Sequence, residues 1–62
     1  MKAKRMKAAR IILGMNQLDL AGKVGVSEAL ISKIETGRHE PPRELKERIA
    51  SVLNIATYEV GR

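Results

Sequence analysis

The sequence predicts an all-α domain, a compact bundle of four to five helices. Three observations carry that expectation. Apolar residues return at helical spacing in successive segments: Met6, Ala9 and Leu13; Leu20 and Val24; Ile31 and Ile34; Leu45, Ile49, Val52 and Leu53. Between these segments stand residues that begin or end a helix, with Asn16 and Ser27 as caps and Gly14, Gly25, Gly37 and Asn54 as exits. The chain has 62 residues, so residues 1–62 make a single domain. Its core is small, because a chain this short hides only about 60% of its unfolded surface on folding.

Helix 1 is expected over about residues 3–13. Met6 and Leu13 should face the core, with Gly14 as the C-terminal stop. Ile11 and Ile12 do not both fit that stripe, so at least one should be exposed. Arg10 lies on the inward edge, where an unpaired charge is costly.

Helix 2 is expected over about 17–24, capped by Asn16, with Leu20, Ala21 and Val24 on one face. Two short helices meeting steeply need a small side chain where their backbones approach, and Ala21 supplies it. Asp19 and Lys23 are four apart and can form an ion pair worth a few tenths of a kcal/mol. Gly22 costs about 1 kcal/mol against alanine inside a helix, and nothing in the sequence offsets it. Leu18 should be partly exposed. The chain must leave helix 2 with a positive φ, which suits Gly25.

Helix 3 is expected over about 28–36. Ser27 can accept a first-turn amide, and Glu28 places a negative charge where the helix dipole favours one. Ile31, Ile34 and part of Leu30 should be buried, which turns Glu28, Ala29, Ser32 and Lys33 outward. Gly37 closes the helix. Arg38-His39-Glu40-Pro41-Pro42 follows as an irregular loop, since the proline pair forbids helix before its second residue. That stiff backbone could hold Arg38 and Arg43 against phosphates or a minor groove, while His39 reads as an exposed loop residue.

Helix 4, about 43–53, should cover the inner side of helices 2 and 3 with Leu45, Ile49, Val52 and Leu53, leaving Glu44, Lys46, Glu47 and Arg48 outward. Pro42 sets its start in place of a side-chain cap, and Asn54 can take the left-handed conformation at its end. A short helix 5 is expected at about 57–60. A helix of one turn is stabilised almost wholly by packing, so Ile55, Tyr58 and Val60 should contact the core or a second subunit.

Composition narrows the function. There is no cysteine, which removes disulfides, thiolate metal sites and catalytic thiols and makes a reducing cytoplasm the default compartment. His39 alone is too little for a zinc site, so no metal or other cofactor is expected. No apolar run approaches the ~20 residues of a membrane span. Tyr58 is the only aromatic residue, which argues against single-strand binding by stacking. The +5 charge is unevenly placed: residues 1–18 hold Lys2, Lys4, Arg5, Lys7 and Arg10 with no acid, and residues 19–62 hold seven bases against seven acids. Positive charge in the first turn of a helix opposes the dipole, so a polyanionic partner explains the placement better than local stability does. A solvated basic tail is the plainer alternative.

The joint pattern Gln17, Ala21, Gly25, Val26-Ser27, Ile31, Ile34-Glu35 and Gly37 resembles the helix-turn-helix of the Cro/repressor family of phage and bacterial DNA-binding proteins, the XRE type. The resemblance covers roughly residues 5–60, with MKAARIILGMNQ similar to that family's first helix and the lead-in to its second, and ETGRHEPPRELKERIASVLNI similar to its connector and fourth helix. It implies a lambda repressor-like fold. It also implies that Arg10 pairs with Glu35 as a structural ion pair, the competing role for Arg10 being a phosphate ligand, and that Asn16 and Gln17 contact DNA phosphate. The family commonly has a serine near Pro42, and here proline takes the place.

On that reading the chain is a repressor-like transcriptional regulator that binds double-stranded DNA with helix 3 in the major groove. Glu28, Ala29, Ser32 and Lys33 are the candidate base readers: Lys33 for guanine O6 and N7, Ala29 for a thymine methyl, Glu28 for cytosine N4, Ser32 for base or phosphate. Glu28 repels the backbone unless it meets a cytosine, and the plain alternative for all four is a wet helix face. Candidate phosphate ligands are Asn16, Gln17, Ser27, Thr36, Arg38, Arg43, Lys4, Arg5 and Lys7. One domain makes few contacts, so a symmetric homodimer on a palindromic site is expected. An antitoxin or a restriction-modification controller would look alike. A protein-interaction module using exposed Ile12, Leu18 or Tyr58 is the rival from another class. No small-molecule substrate is evident, and an enzyme is disfavoured: Ser27, Ser32 and Ser51 have only His39 to partner them, and Gly22-Lys23-Val24-Gly25 lacks phosphate-loop spacing.

Overall fold

Why the chain bends where it does is set by its caps. The computed structural model describes residues 2–61, with side chains from Arg5 onward. It is all-helical: α1 Lys2–Ile12, α2 Gln17–Val24, α3 Glu28–Glu35, α4 Arg43–Leu53, and a 3-10 turn Thr57–Glu59. Asn16 caps α2 through a reciprocal box, its Oδ1 accepting the Asp19 amide at 2.7 Å while Asp19 Oδ2 accepts the Asn16 amide at 3.0 Å. The Asp19 carboxylate thus serves this cap, where an ion pair with Lys23 was expected. Ser27 Oγ accepts the Leu30 amide at 3.1 Å and starts α3. Between them Gly25 sits at φ +88, and both its amide and that of Val26 return to the Ala21 carbonyl. Pro42 precedes α4 without a side-chain cap, and Asn54 ends it at φ 58.

α2 packs against α3 and α4, and α1 crosses onto α3, α4 and the 3-10 turn. Each helix contributes a stripe to one core: Met6 from α1; Leu20, Ala21 and Val24 from α2; Ile31 and Ile34 from α3; Leu45, Ile49, Ala50 and Leu53 from α4; and Val60 from the tail. Ala21 is almost fully buried, as the close α2–α3 approach requires. The tail closes over the α3–α4 loop. A Cβ built on Gly61, at φ +77, would stand 3.3 Å from both Glu40 Oε1 and Pro41 Cδ. Lys46 pairs with Glu40 beneath it. Arg48 is exposed as expected, and its Nη1 also donates to the Val24 carbonyl at 3.0 Å, which ties α4 to the C-terminal end of α2.

Two expectations about apolar residues fail. Leu13 was placed in the core, yet it is 50% exposed. α1 ends at Ile12, and Met15, packed against the core, fills the next inward position. Leu13 lies with Ala8, Ala9, Ile12, Leu53 and Ile55 along a groove of about 250 Å³. Ile11 and Ile12, of which at least one was expected outside the core, are both exposed, the latter at 82%. The short helix expected at about 57–60 is a 3-10 turn over Thr57–Glu59, and Val60 just past it is buried, but Tyr58 remains 71% exposed and adds nothing to the core. Among the described residues, no helix is long and apolar enough to cross a membrane.

Candidate nucleic-acid interface

The inner side of α3 is spent on the fold and the outer side is not. Ile31, Ile34 and Glu35 are buried, whereas Glu28, Ala29 and Lys33 are exposed and Ser32 is half-buried. The four residues expected to read bases therefore share one solvent-facing strip, as the spacing 28, 29, 32, 33 dictates on a helix. The N-terminus of α3 bears the only acid of the strip, Glu28, and Lys33 stands in its last turn.

Behind this strip lies the one buried ion pair among the described residues. Arg10 Nε donates to Glu35 Oε2 at 2.7 Å and Nη2 to Oε1 at 3.2 Å, a forked pair whose side chains are 8% and 2% exposed. The pair that the resemblance implied is therefore made. Arg10 Nη1 also donates to the Met15 carbonyl at 2.8 Å, so one guanidinium holds α3 and the turn leading into α2. Gln17 Nε2 donates to Glu35 Oε1 at 3.1 Å. The described buried polar side-chain atoms all have partners.

The candidate phosphate ligands divide by what already engages them. Asn16 is exposed, with its Oδ1 committed to the cap and its Nδ2 turned to no acceptor among the described residues. Gln17 is half-buried and shares Glu35 with Arg10. Ser27 accepts within its cap, which leaves its proton to donate. Lys7 and Arg38 are exposed. Three others are engaged elsewhere. Thr36 directs its single hydroxyl proton to the Ser32 and Lys33 carbonyls, at 3.0 and 3.2 Å, so it closes α3 from within. Arg5 Nε meets Glu59 Oε2 at 2.9 Å and is held against the 3-10 turn. Arg43 meets Glu47 at 3.3 Å one turn along α4, an exposed contact that a phosphate could displace. The side chain of Lys4 lies outside the described residues.

Glu59 has its carboxyl held below the ordinary value of 4.5, chiefly by the Ala56 amide, which donates to Oε1 at 2.9 Å, and then by Arg5. This box steadies the tail. Sequence reasoning missed the Gln17–Glu35, Arg48–Val24 and Arg5–Glu59 contacts, which join residues 18, 24 and 54 positions apart. No short-range signal marks any of them.

Two eight-residue helices, joined through Gly25-Val26-Ser27 and packed around Ala21 with the second helix's far side open, define a helix-turn-helix protein. A family model described as helix-turn-helix matches residues 6–60, from the first core residue to the last. The chain belongs to that family, the Cro/repressor or XRE type, whose members are DNA-binding regulators of transcription.

Proposed function

We propose that the chain binds double-stranded DNA sequence-specifically as a repressor-like regulator, with α3 in the major groove and two copies related by a two-fold axis on a palindromic site. The observation that carries this is the outer strip of α3. Glu28, Ala29 and Lys33 are exposed to solvent, and Ser32 partly so, on a helix whose opposite side is locked into the core. Lys33 reads guanine, Ala29 packs on a thymine methyl, Glu28 accepts from cytosine and Ser32 bonds to base or phosphate. Asn16, Gln17 and Ser27 grip phosphates, with Arg38, Lys7 and, after leaving Glu47, Arg43 adding long-range attraction. The cytoplasm is the compartment that fits this role.

Selection from a random duplex library tests the reading. The expected result is a palindromic consensus whose half-sites lie about 34 Å apart, one helical turn. Lys33→Ala should then lower discrimination between that site and random duplex by ~1–3 kcal/mol. An equal loss on both DNAs would show that Lys33 reads no base.

The groove beside Ile12 supports a second reading, a protein-interaction module on the same fold. Salt separates the two. DNA affinity falls steeply from low to moderate ionic strength, whereas an apolar contact changes little.

A further inference from the structure

We propose that Arg10 and Glu35 are positioning residues for phosphate binding, and that their contact with Gln17 presets a donor for the DNA backbone. This rests on the DNA-binding reading and names the device that orients its grip.

A phosphate only accepts hydrogen bonds, so just one end of the Gln17 carboxamide is useful to it. A glutamine free to turn would present its oxygen to the phosphate as readily as its nitrogen. Glu35 removes that ambiguity. Its ionised carboxylate also only accepts, so the group 3.1 Å away must be Nε2. Nε2 carries two protons. Glu35 takes one, and the second is the donor left for an outside acceptor.

A bare carboxylate behind a phosphate site would repel the ligand, and Arg10 prevents this. Its fork covers both Glu35 oxygens, at 2.7 and 3.2 Å, so the pair is electrically balanced while Oε1 still has capacity for Gln17. Through Nη1 the same guanidinium fixes the Met15 carbonyl, the residue just before Asn16 and Gln17. Arg10 thereby sets the backbone course of the grip, and Glu35 sets its side-chain polarity. Because Glu35 is the last residue of α3 and Gln17 the first of α2, this contact ties the helix that reads to the helix that grips.

A mutant cycle tests this. The apolar pair Arg10→Met with Glu35→Leu keeps comparable volume, and circular dichroism and thermal unfolding would establish that it is folded under the assay conditions. Its affinity for a selected duplex and for random duplex should fall by the same factor, from about twofold for a carboxamide with no preferred end to about tenfold for outright loss of its bond to a charged acceptor. Gln17→Ala should cost up to about tenfold in the wild-type background and at least twofold less than that in the apolar-pair background. Arg10→Lys keeps the charge but not the fork, and serves if the apolar pair does not fold; Gln17→Ala should then lose part of its effect beside it. A role confined to folding would leave the affinity of the folded apolar-pair variant at the wild-type value, or make the Gln17→Ala loss additive with it, and either result overturns the proposal alone. A wild-type chain that bound no duplex at low salt would overturn the DNA-binding reading and this proposal with it.

Discussion

Replacing Arg10 by methionine should bring the chain close to unfolding. The methylene stem is roughly conserved, so the cost comes from polar groups left behind rather than from a cavity. The Glu35 carboxylate, 2% exposed, would keep one of its three donor contacts, the Gln17 amide, and the Met15 carbonyl would lose its Arg10 donor. Removing one partner of a buried pair costs about 3–5 kcal/mol. At roughly 0.05–0.15 kcal/mol per residue, a domain of this length has on the order of 3–9 kcal/mol in total. The loss is therefore comparable with the whole stability. Urea titration followed by far-ultraviolet circular dichroism, with wild type and variant side by side, measures it. Adding Glu35→Leu should restore most of the stability, because an apolar pair of similar volume substitutes for a buried ion pair at little cost or with a gain. A loss below about 1 kcal/mol on Arg10→Met would mean that water reaches Glu35 freely, and the account of a dry, directional contact would fail.

Gly22→Ala should stabilise the fold by ~0.5–1 kcal/mol, since a Cβ there meets nothing within 4 Å; an unchanged or lower melting temperature would contradict the open face. Ser27→Ala should cost about 1 kcal/mol by releasing the Leu30 amide, with faster hydrogen exchange at Leu30 as the direct sign. Because the Glu59 carboxyl is held below its ordinary 4.5, its contribution is in full force above that value and fades as pH drops through the lower folded one. The Ala56 amide shift should follow that acid titration, and Glu59→Gln should abolish it; a titration centred above the ordinary value would reverse the assignment.

The local parts of the fold were legible because local chemistry writes them. Asn16, Ser27, Gly25 and Asn54 act within a turn of where they stand, and each does what its residue type suggests. Apolar spacing found most of the core for the same reason. It failed at Leu13, since periodicity names the side of a helix a residue occupies but not whether a neighbour reaches far enough to cover it. The strip at Glu28, Ala29, Ser32 and Lys33 followed from burying Ile31 and Ile34. The network behind it did not follow from spacing. Arg10 with Glu35 came from the family resemblance, and Gln17 with Glu35 from neither source. Long side chains such as Arg5, Arg48 and Gln17 choose partners only after the helices have docked, so one chain position can face solvent, a carbonyl or a carboxylate with equal local plausibility.

Tyr58 carries a practical consequence. With no tryptophan and no phenylalanine in the chain, this one ring is its whole near-ultraviolet chromophore, and it stands in water on the 3-10 turn. Its emission changes little as the aliphatic core melts, because the ring passes from one wet setting to another. An intrinsic-fluorescence melt would therefore be almost blind to unfolding, and a titration with duplex would be equally dim unless the ring itself were touched. A change in that signal at fixed temperature would report an event at the tail, with the rest of the molecule optically silent.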